Sequence, residues 1–461
     1  MRWIHAAGSA VSWMAAAGIV IAGCGTAREQ GAPERTAAST AAGSGSAPPQ
    51  VAMTADAGSP SADDGGTAVL ADAGDPGAAP ALAAAEPPKK RTGDLARFYT
   101  ALDGLASGAR KDHVRVLWLG DSHGQADFWS GKLRSLLQKR FGNGGPGFVH
   151  LAYKGYRHDG VELITKDKWA TTPRGPATGK TTGDGVFGLG GLLTSTTTAG
   201  AEAAVEIRDA GLTGKLHWDL CYRFSKAGDS LTVSLQGKKP VTLSAGPKLA
   251  EPGPLQHMKL TTEAGVVAAS TNKGPRLTVQ PTAGYPSLCG VVIETDPTES
   301  PGVVLDVLGI NGARYTTALA WNEEAWLAEY MRRSPDLVIF EYGTNESGDV
   351  GIKESFYQDK VTRLVTRVRK KKPDTDCAVL APTERADQEE RSARIRDILR
   401  DAAKQNGCFF WDTIEVMGGK GAMRAWRDKN PPFGAKDGIH LTVKGYYELG
   451  ERLAADLMKR Y

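Results

Sequence analysis

Five short apolar runs, most of them followed by a stretch with helical spacing, constrain this chain more than anything else in it: Val114–Leu119, Val303–Ile310, Asp336–Tyr342, Ala378–Leu380 and Phe409–Trp411. Runs of this length with apolar residues on both faces suit strands buried on both sides, as parallel strands under helices are. The segments between them supply the helices. From Asp94 to Leu105, the residues Leu95, Phe98, Tyr99, Leu102 and Leu105 share one side. From Ala126 the pattern turns helical again, with Phe128, Leu133, Leu136 and Leu137. Further helices are expected near Glu323–Arg333, Lys353–Lys371, Arg391–Ala403 and Val443–Arg460. Parallel strands joined by helices need right-handed crossovers, so the expected fold class is α/β with a doubly wound parallel sheet.

The first and second runs are far apart, and the residues between them have another texture. Residues 143–301 are rich in Gly, Thr, Val and Leu, with alternating runs such as Ser230–Gln236 and Arg276–Gln280. Short strands punctuated by Gly and Pro point to a β-sandwich, jelly-roll-like. The sheet needs both flanking parts, so this region reads as an insertion into an α/β frame of 92–142 and 302–461. The Gly-rich stretch Gly142–Gly147 follows a helix and reads as the hinge into the insertion, not as a phosphate loop.

The start of the chain reads as targeting. Arg2 gives a positive start, and Val11 to Ala22 is an apolar core too short for a comfortable membrane span. Its ending, Ile21-Ala-Gly-Cys24, resembles the lipobox of bacterial lipoproteins, which implies a signal peptide over 1–24 and lipidation at Cys24. An ordinary signal peptide with an incidental Cys is the competing reading. Gly25 lacks the acidic residue that marks inner-membrane retention, so the expected location is the cell envelope, on an outer-membrane anchor. Residues 25–91 are mostly Ala, Gly, Ser, Thr, Pro and Asp with hardly a large apolar side chain, and read as a disordered tether. A net charge of +4 over 461 residues predicts no nucleic-acid footprint and no polybasic membrane patch. The run Lys89-Lys90-Arg91 reads as a solvated linker end.

Four further cysteines remain, an even number in a chain expected to be exported. Cys377 and Cys408 open two neighbouring strand runs at equivalent points, which predicts a Cys377–Cys408 bridge and leaves Cys221–Cys289 as the second. Buried free thiols are the alternative for either pair.

Chemistry in such sheets sits at the carboxyl ends of the strands. Those ends carry Gly120-Asp-Ser122-His, then Gly309-Ile-Asn-Gly312-Ala, then Glu341-Tyr-Gly-Thr-Asn345-Glu346. Before the last helix stands Lys436-Asp437-Gly-Ile-His440-Leu-Thr. Singly, each block passes for a turn or a cap. Together they supply what acyl transfer needs. A serine is a weak nucleophile until a base takes its proton, and His440 can be that base. Asp437 can fix the tautomer of His440 from the far side of its ring. The N–H groups of Ser122 and Gly312, with the Asn345 amide, can donate to an oxyanion, each worth ~3–4 kcal/mol.

In this order, the four blocks resemble those of the SGNH (GDSL-type) esterases. That resemblance covers roughly Val114–Gly142 and Val303–Tyr461. It implies a flavodoxin-like three-layer α/β/α sandwich with Ser122 as nucleophile and Asp437 and His440 completing the triad. Ser122, Gly312 and Asn345 would line the oxyanion hole, with Gly309 as the other candidate glycine. Two details depart from the commonest form: His123 replaces the usual Leu, and Glu346 stands where Asp is frequent. More narrowly the blocks resemble the peptidoglycan O-acetylesterase branch, whose members carry a β-sandwich, carbohydrate-binding-like module in the matching place. By that resemblance Trp169, Trp218 and Tyr222 form a sugar-stacking platform; as ordinary aromatics they would be sandwich core. Gly120-x-Ser122-x-Gly124 also fits an α/β-hydrolase elbow, but that fold needs several strands before its Ser.

The expected activity is removal of O-acetyl groups from a cell-envelope polysaccharide, peptidoglycan foremost. It needs no cofactor and no metal, and its partners would be the acetylated glycan and a membrane reached through the lipid anchor alone. An O-acetyltransferase, an esterase of xylan or exopolysaccharide, and a non-catalytic glycan-binding lipoprotein are the alternatives.

Overall fold

The computed structural model describes residues 92–461, apart from 210, 263–273, 350 and 352. The expected signal segment with Cys24, and the tether with Lys89–Arg91, lie outside the described residues.

The central sheet runs Val303–Gly309, Val114–Gly120, Leu337–Glu341, Asp376–Leu380, Phe409–Trp411, every neighbouring pair parallel. In order along the chain this is 2-1-3-4-5, so the direction of winding reverses beside the first strand. A crevice opens at the carboxyl ends of the strands at such a reversal. Gly120 stands level with Gly309 on one side and Glu341 on the other. The three blocks that follow these residues therefore leave the sheet at one height.

Alternation along the strands divides the core into two layers. Leu117, Leu119, Leu308, Val338 and Phe340 join Tyr330, Leu364, Ile395 and Leu399 on one face. Val116, Trp118, Val307 and Ile339 join Phe98, Leu102, Trp129, Leu133, Leu449 and Leu453 on the other. The helix expected from Ala126 starts three residues later, as Trp129–Phe141; a separate helical turn, Ser122–Gln125, precedes it, and the two are kept apart at Asp127, whose φ is +50°. The cause is tertiary. The buried Asp127 carboxylate takes Arg134 Nη2 at 2.6 Å, Ser130 Oγ at 2.8 Å and the Asp159 N–H at 2.8 Å. Those partners outweigh a continuous helix.

Residues 143–301 form two antiparallel sheets. One holds Leu255–Thr262, Leu216–Arg223, Ser287–Thr295, Leu193–Ser195 and Ala170–Thr172, with Gly147–Val149 beside Ser287–Thr295. The other holds Val161–Lys166, Glu202–Ile207, Arg276–Ala283, Ser230–Leu235 and Val241–Ser244. Side chains of both meet in one apolar cluster that includes Leu220, Ile293, Val205, Val233 and Val279. Trp218 and Tyr222 belong to that cluster and are buried, and Trp169 packs against its edge. The three aromatics thus form no exposed platform, because alternation turns Trp218 and Tyr222 toward the second sheet.

The opposite face of the first sheet rests on the parallel-sheet part, where Cys221, Cys289 and Phe148 share a cluster with Trp321 and Trp326. Charge closes the same seam. Arg333 reaches Asp306 and Glu294, each at 2.7 Å. His257 lies 3.0 Å from both Asp219 and Glu329, and Arg332 lies 2.5 Å from Asp219. Disulfides join Cys377 to Cys408 and Cys221 to Cys289. The second lies at a bulge, where Cys289 is the extra residue between Leu288 and Gly290.

Candidate active site

Asp121 starts the site by capping a helix. Its side chain accepts the His123 N–H at 3.0 Å, which begins the helical turn Ser122–Gln125 directly at the end of the first strand. Ser122 is left half-buried at the crevice. The other end of the chain reaches it through a turn between Asp437 and His440, with Gly438 at φ +69°, a conformation that suits glycine. The Asp437 carboxylate closes this turn by accepting the N–H groups of Ile439 at 2.9 Å and His440 at 3.0 Å. Thr442 then caps the final helix, accepting the Gly445 N–H at 3.2 Å.

The result is a continuous file. Ser122 Oγ lies 2.9 Å from His440 Nε2, and His440 Nδ1 lies 2.7 Å from Asp437 Oδ2. Partial burial works against charge on Asp437, but the hydrogen bonds from the His440 ring and the two N–H groups outweigh it. They hold its carboxyl well below the usual carboxylate range.

The second and third blocks lie beside Ser122. Gly309 is closed in: a side chain there would strike the Gln125 N–H nitrogen at 2.2 Å. Gly312, at φ +80°, is open toward the crevice, with only Ala177 near at 3.5 Å. Among the described residues no protein acceptor takes the N–H of Ser122 or of Gly312. Asn345 Nδ2 lies 3.2 Å from Asp121 Oδ2 and 3.0 Å from the Ala313 carbonyl, so both of its N–H bonds are held in this resting arrangement. Glu346 fixes the turn that carries it by accepting the N–H groups of Gly343 and Tyr315, each at 2.9 Å.

Asp121, Glu341 and Glu346 are all buried. Burial pushes the Glu346 carboxyl up to about 7, against the pull of its two N–H donors. Burial and the neighbouring Asp121 raise Glu341 well above the usual range, so Glu341 keeps its proton at neutral pH.

The sequence did not point to Glu341, Gln125, Thr383 or Tyr446. Gln125 accepts the Asn311 N–H at 2.6 Å and the Tyr153 hydroxyl at 3.1 Å, and donates to the Gly155 carbonyl at 3.0 Å. It therefore ties the Ser122 helix to the second block and to residues 143–301. Its position three residues after Ser122, facing inward on a helical turn, was the one available signal. Those residues also border the crevice, since the Ala177 carbonyl accepts the Thr317 hydroxyl at 2.8 Å.

Cys221, His257 and Glu329 stand at metal-like spacing. Cys221 is bonded to Cys289 and both His257 nitrogens face carboxylates, so this group has no donor set to offer a metal. It borders a cavity of about 180 Å³ at the seam.

Residues 270–447 match the GDSL-like lipase/acylhydrolase family model. That stretch holds the second, third and last blocks, while the first lies upstream, across the long intervening region. A solved structure named as a peptidoglycan O-acetylesterase is 27% identical, covering 79% of this chain and 95% of that chain, with a TM-score of 0.64. A family two carbohydrate esterase from Cellvibrio japonicus is 11% identical over 65% of this chain and 98% of that chain, TM-score 0.27. An acetyl xylan esterase, AlAXEase, is 16% identical over 35% of this chain and 83% of that chain, TM-score 0.28. No curated protein matches the chain. By the family match over residues 270–447 and the first of these likenesses, the chain resembles the GDSL-like (SGNH) acylhydrolases, in their peptidoglycan O-acetylesterase-like branch, and is an esterase.

Proposed function

We propose that the protein removes O-acetyl groups from a cell-envelope polysaccharide, peptidoglycan, by a Ser122–His440–Asp437 triad. The observation that carries this reading is the unbroken file from Ser122 Oγ through His440 to Asp437, at 2.9 and 2.7 Å. The substrate is drawn from the likeness to the peptidoglycan O-acetylesterase, which extends over most of both chains.

His440 takes the Ser122 proton as Oγ attacks the acetyl carbonyl. The N–H groups of Ser122 and Gly312 receive the oxyanion, joined by an Asn345 N–H shared away from its resting acceptors. The sugar oxygen leaves with the proton from His440, and the acetyl group stays on Ser122. Water then enters, His440 takes its proton, and acetate departs while Ser122 regains its hydrogen. Ionised Asp437 balances the imidazolium at each step.

Residues 143–301 fit an inserted β-sandwich module that walls the crevice on the Gly312 side. Lipidation at Cys24 and a tether over 25–91 would hold the enzyme at the envelope and let it range across its substrate. The test is acetate release from O-acetylated peptidoglycan, acetylated xylan and an acetylated exopolysaccharide, each with and without a free sugar acceptor. Peptidoglycan is expected to be the best donor, with acetate as product. Acetyl transfer to the added sugar would make the protein a transferase, and release from xylan alone would move the substrate.

A further inference from the structure

His123 follows Ser122 directly, yet its side chain turns away from the crevice and is fully buried. Its Nδ1 lies 2.9 Å from the Tyr446 hydroxyl and its Nε2 lies 3.2 Å from Thr383 Oγ1. Thr383 Oγ1 in turn reaches the Ile439 carbonyl at 3.5 Å. Ile439 belongs to the turn that carries Asp437 and His440. The His123 and His440 rings are neighbours, with centroids 5.2 Å apart.

Direction in this chain follows from its last member. A carbonyl can only accept, so Thr383 donates to Ile439. Its oxygen is then left to accept from His123 Nε2–H. Burial, then the nearby His440, keep the His123 ring neutral, so Nδ1 carries no hydrogen and accepts from the Tyr446 hydroxyl. Donors therefore run one way, from Tyr446 through His123 and Thr383 to Ile439.

Resting on the triad reading above, we propose that His123 is a positioning residue: through Thr383 it ties the half-exposed Asp437–His440 turn to the helical turn that carries Ser122. The Ile439 N–H is held by Asp437 and its carbonyl by Thr383, so the backbone just before His440 is fixed on both edges. Without the second tie the turn can drift, and a displacement of about 1 Å at the base lowers turnover by up to about a hundredfold. No substrate contact is altered.

The test uses His123→Leu, Thr383→Val and their combination in the full chain, assayed on an aryl acetate beside Ser122→Ala. Each single change is expected to lower kcat about tenfold or more, with KM within about twofold, and the double change to be no worse than the worse single. His123→Gln, which keeps an N–H near the Nε2 position, should regain part of the loss. Thr383→Val nearly preserves shape, so it reports even if His123→Leu fails to fold. A kcat within twofold of wild type for Thr383→Val, or losses that multiply in the double variant, would overturn the positioning role while leaving the triad reading intact. Activity surviving in Ser122→Ala would instead remove the reading on which it rests.

Discussion

Asp121, Glu341 and Glu346 set three carboxyl groups beneath one short turn, and their neighbours give them different work. Asp121 caps the Ser122 helix and holds Asn345, Glu346 ties down Gly343 and Tyr315, and Glu341 sits protonated beside Asp121. A neutral glutamine should therefore replace Glu341 well. Glu341→Gln is expected to keep kcat within about threefold, whereas Glu341→Ala leaves a buried N–H of Asp121 without its acceptor and should cost about 1–3 kcal/mol in chemical denaturation. At this scale Ser122, Asn345, Asp437 and His440 were legible in the sequence because each bears a reactive or polar group at a strand end or before the last helix. Glu341 was not, since a buried protonated acid and a surface carboxylate are written with the same letter.

Among the elements, the strands were legible because burial on both faces leaves unbroken apolar runs. The expected Val303–Ile310 strand is Val303–Gly309, and Asp336–Tyr342 is Leu337–Glu341; each stops one residue earlier at its carboxyl end, and the second also starts one residue later, after Asp336, whose side chain accepts from Arg110 and the Arg115 N–H. The break at Asp127 was hidden. Its cause, a buried pair with Arg134 at 2.6 Å, is a tertiary contact that local periodicity does not record. Arg134→Met should leave that carboxylate buried without its cation and destabilise the fold by about 3–5 kcal/mol, read as a lowered denaturation midpoint. The same substitution paired with Asp127→Asn should recover part of the loss.

For the whole molecule, the place and texture of residues 143–301 were readable, but alternation alone gives neither the strand order nor which face meets the rest of the chain. The seam depends on charge. Burial opposes protonation of His257, yet its bonds to Asp219 and Glu329 outweigh that and push it up to about 9, from an ordinary value of 6.5. A raised value means the stabilisation is full below about pH 6.5 and fades as pH rises through about 9. The gap in thermal midpoint between wild type and His257→Gln should accordingly shrink across that window. A gap that widened would mean the ring is neutral at the seam. The claim that everything else serves is that one hydroxyl, near the start of the folded part, is activated by an imidazole near its end. The most direct check is mass spectrometry of the intact chain after a serine-directed organophosphonate. A single adduct on the peptide holding Ser122, formed in wild type and strongly suppressed in His440→Ala, is the predicted result, and an unmodified Ser122 or equal labelling of both proteins would contradict it.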